Sequence, residues 1–344
     1  MKKKLTRLST VFSVCGFLLF SSPPDKQELY IKAISETDLQ QKHQLLQQYE
    51  QLYGQQQDNY SKFIYIQLTE TAFQLKNYEE AIQYGEKALE FAEIPATNKL
   101  SVLYALANSY HTSQKDPQKV YDYAETMIEL TRWVIDKANN SDLEKEKLEE
   151  FVESYRKYYM ATGYRLQAMV LYSREKENPA VLKEAAQKAV EAYLADKSEN
   201  SAKMVFSLAG QLFQKNKLDD ALAAAEKVFD ETNPNERFAT FLGTLYYKKG
   251  DKDKAIPYFE LAYQAGKQAE TALKIGKLVY KKDIDKGIHY FADAYILSQS
   301  DENSDAYKYL RQLYYNEKAR NLPQSEQEKG FKAIILAAKA RIGR

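Results

Sequence analysis

A fixed 34-residue period constrains the fold of this chain more than any other feature. Apolar and small residues of the segment 207–229 recur in the segment 241–263, where Leu208, Ala209, Phe213, Ala221, Ala225 and Val228 correspond to Leu242, Gly243, Tyr247, Ala255, Phe259 and Ala262. In each segment two amphipathic stretches flank a short polar turn. A repeat of this length indicates supersecondary units that cannot bury their apolar faces alone and must stack.

The composition favours helices for these units. The chain of 344 residues is rich in Leu, Ala, Glu, Lys, Tyr and Gln and contains 12 glycines and 8 prolines, as expected of an all-helical protein. The 49 basic and 48 acidic residues nearly cancel. This balance argues against a nucleic-acid partner, which requires a basic surface.

The best repeat resembles the tetratricopeptide repeat (TPR), on the pattern Leu242-Gly243, Tyr246, Gly250, Ala255, Phe259 and Ala262. The resemblance implies an all-α, right-handed α-solenoid of stacked antiparallel helical hairpins. The residue types agree with it, because Gly243 and Ala255 allow two helices to approach closely while Tyr246 and Phe259 fill the space between hairpins.

The repeat frame predicts the organisation of the whole chain. It assigns 1–22 to a signal peptide, 25–58 to an N-terminal helical cap, 62–132 to repeats one and two, 133–200 to lengthened helices and a degenerate third repeat, 202–300 to repeats four to six, and 304–344 to a degenerate repeat and a C-terminal capping helix. Ser141 and Glu144 predict a capping box that opens a helix in the middle segment, and Thr37 predicts a helix cap near the amino terminus. The closing helix is expected to start near Ser325.

The amino terminus has the pattern of an export signal. Lys2, Lys3, Lys4 and Arg7 precede a mostly apolar run, Leu8 to Phe20, which is shorter than the roughly 20 residues of a membrane-spanning helix. We therefore expect an exported bacterial-type protein that is periplasmic or secreted. The mature chain is expected to have no integral membrane span, and association with the cell envelope is compatible with this prediction. Lipoprotein processing at Cys15 is less favoured, because Val14 stands where a small residue is typical; a short uncleaved anchor is the other alternative.

No catalytic or metal-binding pattern occurs in the sequence. His43, His111 and His289 are far apart and share no ligand spacing. Nucleotide-binding, hydrolase and metalloprotease motifs are missing from the sequence. The predictions are therefore a non-enzymatic protein with no catalytic residue, no metal and no cofactor.

The TPR resemblance also implies a binding groove lined by the first helix of each hairpin. Four residues after each small site it places an almost unbroken ladder of mainly aromatic residues: Phe73, His111, Tyr172, Phe213, Tyr247, Tyr280 and Tyr315. Beside the ladder, a set that makes the carboxy-terminal half mildly basic comprises Asn108, Lys203, Arg237, Lys248, Lys277 and Lys281. Such aromatic side chains suit binding hot spots, but at helical spacing they also suit packing, and the sequence leaves both open.

Three functions remain compatible with these features. The leading one is a protein–protein interaction scaffold or adaptor of the cell envelope, with a peptide or partner helix in the concave groove. The alternative is carbohydrate or cell-wall glycan binding, with Tyr172, Tyr247, Tyr280 and Tyr315 as stacking platforms. The third is a structural role in a larger complex, mediated by the convex face.

Overall fold

The computed structural model describes residues 25–56, 60–175 and 178–343. The predicted signal peptide and Cys15 lie outside these residues. All regular secondary structure in the described part of the chain is helical, which confirms the all-α prediction. The chain divides into an amino-terminal unit that ends at Ala92 and a carboxy-terminal unit that begins at Glu93.

The described part of the amino-terminal unit contains four α-helices, and neighbours along the chain pack together. They are α1 (Lys26–Ser35), α2 (Leu39–Tyr53), α3 (Ser61–Gln74) and α4 (Tyr78–Leu89). Their core includes the fully buried Leu46, Tyr49 and Ile64. The cap of α2 is Asp38, whose Oδ1 accepts a hydrogen bond of 2.8 Å from the backbone N–H of Gln41. The predicted cap at Thr37 is therefore wrong by one residue, because the carboxylate rather than the hydroxyl satisfies the first free N–H groups.

The carboxy-terminal unit continues the hairpin design. Its helices are α5 (Ala96–Thr112), α6 (Pro117–Asn139), α7 (Lys145–Tyr155), α8 (Ala161–Glu175), α9 (Pro179–Asp196), α10 (Glu199–Gln214), α11 (Leu218–Glu226), α12 (Glu236–Lys249), α13 (Lys252–Gly266), α14 (Ala269–Val279), α15 (Ile284–Leu297), α16 (Asp305–Leu313) and α17 (Gln324–Ile342). Hairpins form between α5 and α6, α8 and α9, α10 and α11, α12 and α13, and α14 and α15. The prediction of stacked helical hairpins is confirmed within this unit.

The middle segment departs from the repeat by an additional helix. Ser141 Oγ donates to the Ala138 carbonyl oxygen at 2.7 Å, at the end of α6, and α7 begins at Lys145. The predicted capping box at Ser141 and Glu144 is therefore wrong, because the serine hydroxyl satisfies a carbonyl of the preceding helix. A π-helical segment, Arg156–Met160, connects α7 to α8.

Glycine and phenylalanine pair inside the two most regular hairpins. A Cβ atom on Gly243 would lie 2.8 Å from Phe259 Cδ1, and a Cβ on Gly276 would lie 2.6 Å from Phe291 Cε1. Both rings are almost fully buried. Only glycine therefore permits the observed approach of α12 to α13 and of α14 to α15, as the sequence predicted for Gly243.

The array ends in a helix anchored by a buried ionic contact. After α16 and a second π-helical segment, Tyr314–Lys318, α17 begins at Gln324, next to the predicted start near Ser325. The Asp293 carboxylate on α15 is 2% exposed and accepts hydrogen bonds from the Tyr263 hydroxyl at 2.9 Å and from Arg341 Nη2 at 2.7 Å. Because Arg341 belongs to α17, this contact fixes the last helix on the end of the array.

Candidate binding site

A cavity of about 350 Å³ opens between α12, α13 and α14. We call it the lysine cavity, and it is lined by Thr244, Tyr247, Lys248, Lys252, Phe259, Lys274, Lys277 and Leu278. Phe259, held against Gly243, contributes a buried aromatic surface, whereas the Tyr247 side chain is 47% exposed. Three of the residues predicted for the groove, Tyr247, Lys248 and Lys277, therefore share one cavity.

Four lysines and no carboxylate line this cavity. Lys274 Nζ lies 2.8 Å from Glu270 Oε1 and Lys277 Nζ lies 3.3 Å from Asp305 Oδ2, although neither acid lines the cavity. Lys248 and Lys252 are exposed and have no ion-pair partner among the described residues. The cavity therefore combines an apolar aromatic surface with uncompensated positive charge.

A second cavity, of about 420 Å³, involves the following hairpin. We call it the tyrosine cavity, and it is lined by Tyr280, Lys281, Ile284, Phe291, Tyr309, Gln312, Leu313 and Glu317. The rings of Phe291 and Tyr309 stack, with centroids 5.1 Å apart and planes inclined by 13°. Tyr280 contacts both rings, at centroid distances of 6.3 and 6.5 Å.

The two cavities repeat one design along consecutive hairpins. Tyr247 and Lys248 of the first correspond to Tyr280 and Lys281 of the second, each 33 positions later in the chain. Lys277 connects the cavities, because it lines the lysine cavity while its Nζ lies 4.9 Å from the centroid of the Tyr309 ring. The structure therefore brings five predicted groove residues together on neighbouring repeats.

The other rungs of the ladder lie in more packed surroundings. Phe73 belongs to the amino-terminal unit, where its ring centroid is 6.1 Å from that of Tyr78. Tyr172 and Phe213 are half-buried against the core of the carboxy-terminal unit. Tyr315 packs against Phe331 at 5.2 Å, and burial, the largest cause, raises the pKa of its phenol. Packing thus accounts for much of the surface of these rings.

The remaining predicted residues have local partners or are exposed on separate helices. His111 is half-buried, and this burial lowers the pKa of its imidazole. Asn108 Nδ2 donates to the Tyr104 carbonyl oxygen at 2.8 Å on the same helix. Lys203 forms an ion pair of 2.8 Å with Glu199, and the Arg237 side chain is exposed.

Sequence reasoning missed an aromatic cluster at the middle segment. Tyr104 of α5 meets Tyr158 and Tyr159 of the π-helical segment at ring-centroid distances of 5.7 and 6.1 Å. Phe151 stacks on Tyr155 at 4.2 Å. The run of aromatic residues from 151 to 159 was the available signal, but the repeat frame gave no register for the additional helix.

No protein-family model matches the chain, and no curated protein matches it. Among solved structures, the chain is similar to the assembly chaperone of RpL4, Acl4 (residues 1–338), at 13% identity over 76% of this chain and 96% of that chain, with a TM-score of 0.45. It is also similar to a tetratricopeptide repeat protein from Parabacteroides merdae, at 14% identity over 84% of this chain and 98% of that chain, with a TM-score of 0.38.

The fold is that of tetratricopeptide-like helical hairpins. This assignment follows from the observed hairpins and their period. Within the described residues, no helix is both long and apolar enough to cross a membrane. The same part of the chain contains no cluster of three or more His, Cys, Asp or Glu side chains arranged to hold a metal ion.

Proposed function

We propose that this protein is a non-enzymatic scaffold whose carboxy-terminal unit binds an extended segment of another protein along the lysine and tyrosine cavities. The observation that carries this proposal is the repetition of one cavity design on consecutive hairpins. A small molecule requires one pocket, whereas a peptide chain uses equivalent pockets at regular intervals to hold successive side chains.

The chemistry of the cavities supports a protein ligand. Aromatic side chains provide large contact areas at low entropic cost, and the lysines can form ion pairs or hydrogen bonds with carboxylates and main-chain carbonyl groups. Tyr247 is exposed in the free protein, while Phe259 and Phe291 are held rigidly in the core. A rigid floor reduces the ordering cost of binding.

The geometry favours a peptide over a glycan. Of the four tyrosines considered as sugar-stacking platforms, only Tyr247 is exposed. Tyr172, Tyr280 and Tyr315 are half-buried against the core. A sugar needs an accessible ring face for stacking, and these three rings have little free surface.

The cellular location is part of the same proposal. The basic and apolar pattern of residues 1–22 supports export, and an exported scaffold would act in the periplasm, at the cell envelope or outside the cell. Fractionation of cells that produce the full chain tests this point. Recovery of the uncleaved chain in the cytoplasm would contradict export and leave the peptide-binding proposal standing.

Peptide display tests the binding proposal directly. The full chain is used to select peptides from a random library, and the selected peptides are then measured against a Tyr247→Ala variant. A matched control is Tyr158→Ala, because Tyr158 is a 60% exposed tyrosine that lines neither cavity. We expect a loss of affinity of about tenfold or more for Tyr247→Ala and little change for the control. Failure to enrich any peptide, or equal losses in the two variants, would contradict the proposal.

A further inference from the structure

We infer that the bound segment is acidic, with side-chain carboxylates on either side of an apolar side chain, and this inference rests on the proposed function. The apolar side chain enters the lysine cavity against Phe259 and Leu278. The carboxylates meet Lys248 and Lys252 at this cavity and Lys281 at the next one.

The charge of the two cavities carries the inference. Their linings together contain five lysines and a single acid, Glu317, in a chain whose basic and acidic residues are nearly equal in number. Lys248, Lys252 and Lys281 lack an ion-pair partner in the described part of the chain. Other lysines of the same hairpins do form ion pairs, as Lys282 does with Asp253 and Lys286 with Glu260. Local positive charge of this kind attracts and orients an acidic ligand.

The shape of the lysine cavity adds the apolar requirement. A volume of about 350 Å³ is at the lower end for ligand pockets, so it admits a side chain rather than a folded domain. The half-buried side chain of Leu278 lines the cavity for apolar contact, and the almost fully buried Phe259 ring forms part of its floor. An acidic peptide without an apolar residue would leave this surface unused.

The residue types favour side-chain carboxylates over a single chain-terminal carboxylate. Neither lining contains an arginine, the residue whose planar guanidinium binds a single carboxylate through two donors. Lysines act as separate point charges. Lys248 and Lys281 are on consecutive hairpins, so they suit carboxylates distributed along a chain.

The test uses three acetylated and amidated decapeptides and fluorescence anisotropy with the full protein. The first contains Asp and Glu around a central Phe, the second replaces the acids by Asn and Gln, and the third replaces the Phe by Ser. We expect the first to bind at least about tenfold more tightly than either analogue. We also expect its affinity to fall as salt is raised from about 50 to 300 mM, because salt screens the exposed charges.

Two triple variants separate a local site from general charge attraction. The site variant carries Lys248→Gln, Lys252→Gln and Lys281→Gln. The control removes the same charge from exposed positions of α17, namely Lys329→Gln, Lys332→Gln and Lys339→Gln. We expect at least about a tenfold loss for the site variant and less than about twofold for the control, with matched thermal stability.

Each contrary outcome has a distinct meaning. Equal binding of the acidic and neutral peptides would overturn the acidic inference while leaving peptide binding intact. Equal losses in the two triple variants would show general attraction to a polyanion and overturn the assignment to these lysines. Equal binding of the Ser peptide would overturn the apolar requirement. Failure of the proposed function itself appears separately, as a display selection that enriches no peptide.

Discussion

The contact between Gly276 and Phe291 makes a quantitative prediction about hairpin packing. Alanine normally stabilises a helix relative to glycine by roughly 0.5–1 kcal/mol. At Gly276, however, the new Cβ would lie 2.6 and 2.7 Å from two carbons of the Phe291 ring, which is fully buried and cannot swing aside. Overpacking of this kind costs about 1–3 kcal/mol. We therefore expect Gly276→Ala to destabilise the carboxy-terminal unit by about 0.5–2 kcal/mol.

Gly210 provides the matched control. It also lies inside a helix, α10, but a Cβ at this position would meet no heavy atom within 4 Å beyond its own local backbone. Gly210→Ala should therefore stabilise the unit by roughly 0.5–1 kcal/mol. In thermal and urea unfolding followed by circular dichroism, the two variants should shift in opposite directions, by about 2–4 °C per kcal/mol. A Gly276→Ala protein at least as stable as the wild type would refute the reasoning from close approach.

Three other predictions concern buried polar groups. Arg341→Gln removes a charged donor from the buried Asp293 carboxylate and should destabilise the carboxy-terminal unit by about 1–3 kcal/mol, measured by urea unfolding. His43→Ala removes a 2.9 Å contact with Glu80 from the amino-terminal unit and should lower the stability of that unit by about 1.5–3 kcal/mol. Limited proteolysis should then cleave the amino-terminal unit of the variant earlier than that of the wild type. Tyr49 has a buried hydroxyl with no hydrogen-bond partner among the described residues, so Tyr49→Phe should be neutral or stabilising by up to about 1 kcal/mol. Burial, the largest cause, raises the pKa of Tyr49 to about 12, whereas the phenol of the unfolded chain ionises at its unperturbed pKa of roughly 10. The free energy of unfolding of the wild type should therefore fall as pH rises from about 10 to about 12. Over the same range the urea midpoint of the Tyr49→Phe variant should fall less.

Much of the fold can be predicted from the sequence because residues at fixed positions of the repeat pack against each other. The small residue at Gly243 and the aromatic at Phe259 predict each other's position, since one makes the space that the other fills. Helix termini were harder to predict. At Ser141 the hydroxyl bonds a carbonyl of the preceding helix, and at Asp38 a carboxylate displaces the neighbouring threonine as the cap. Several polar residues near a terminus can compete for the same free groups, and local geometry decides between them.

Of the residues that line the two cavities, the sequence predicted only those at a fixed offset along the first helix of a hairpin. Counting from the small site selects Tyr247 and Tyr280, which line the two cavities, because both lie on the helix that carries the count. Lys252, Lys274 and Tyr309 were missed although they line the same cavities. They come from the second helix of the hairpin or from the next hairpin, and an offset along one helix gives no information about what a neighbouring helix contributes.

The regularity of the repeat and the existence of the cavities have one physical cause. Gly243 and Gly276 allow Phe259 and Phe291 to lie against the first helix of each hairpin, and those same rings line the two cavities. Where the glycine is absent, as at Ala209, the position equivalent to Phe259 is Ala225, so the repeat supplies no ring at that place. Gly276→Ala should therefore do more than lower stability. By displacing Phe291 it should also weaken binding at the tyrosine cavity, whereas the stabilising Gly210→Ala change should leave binding unaltered.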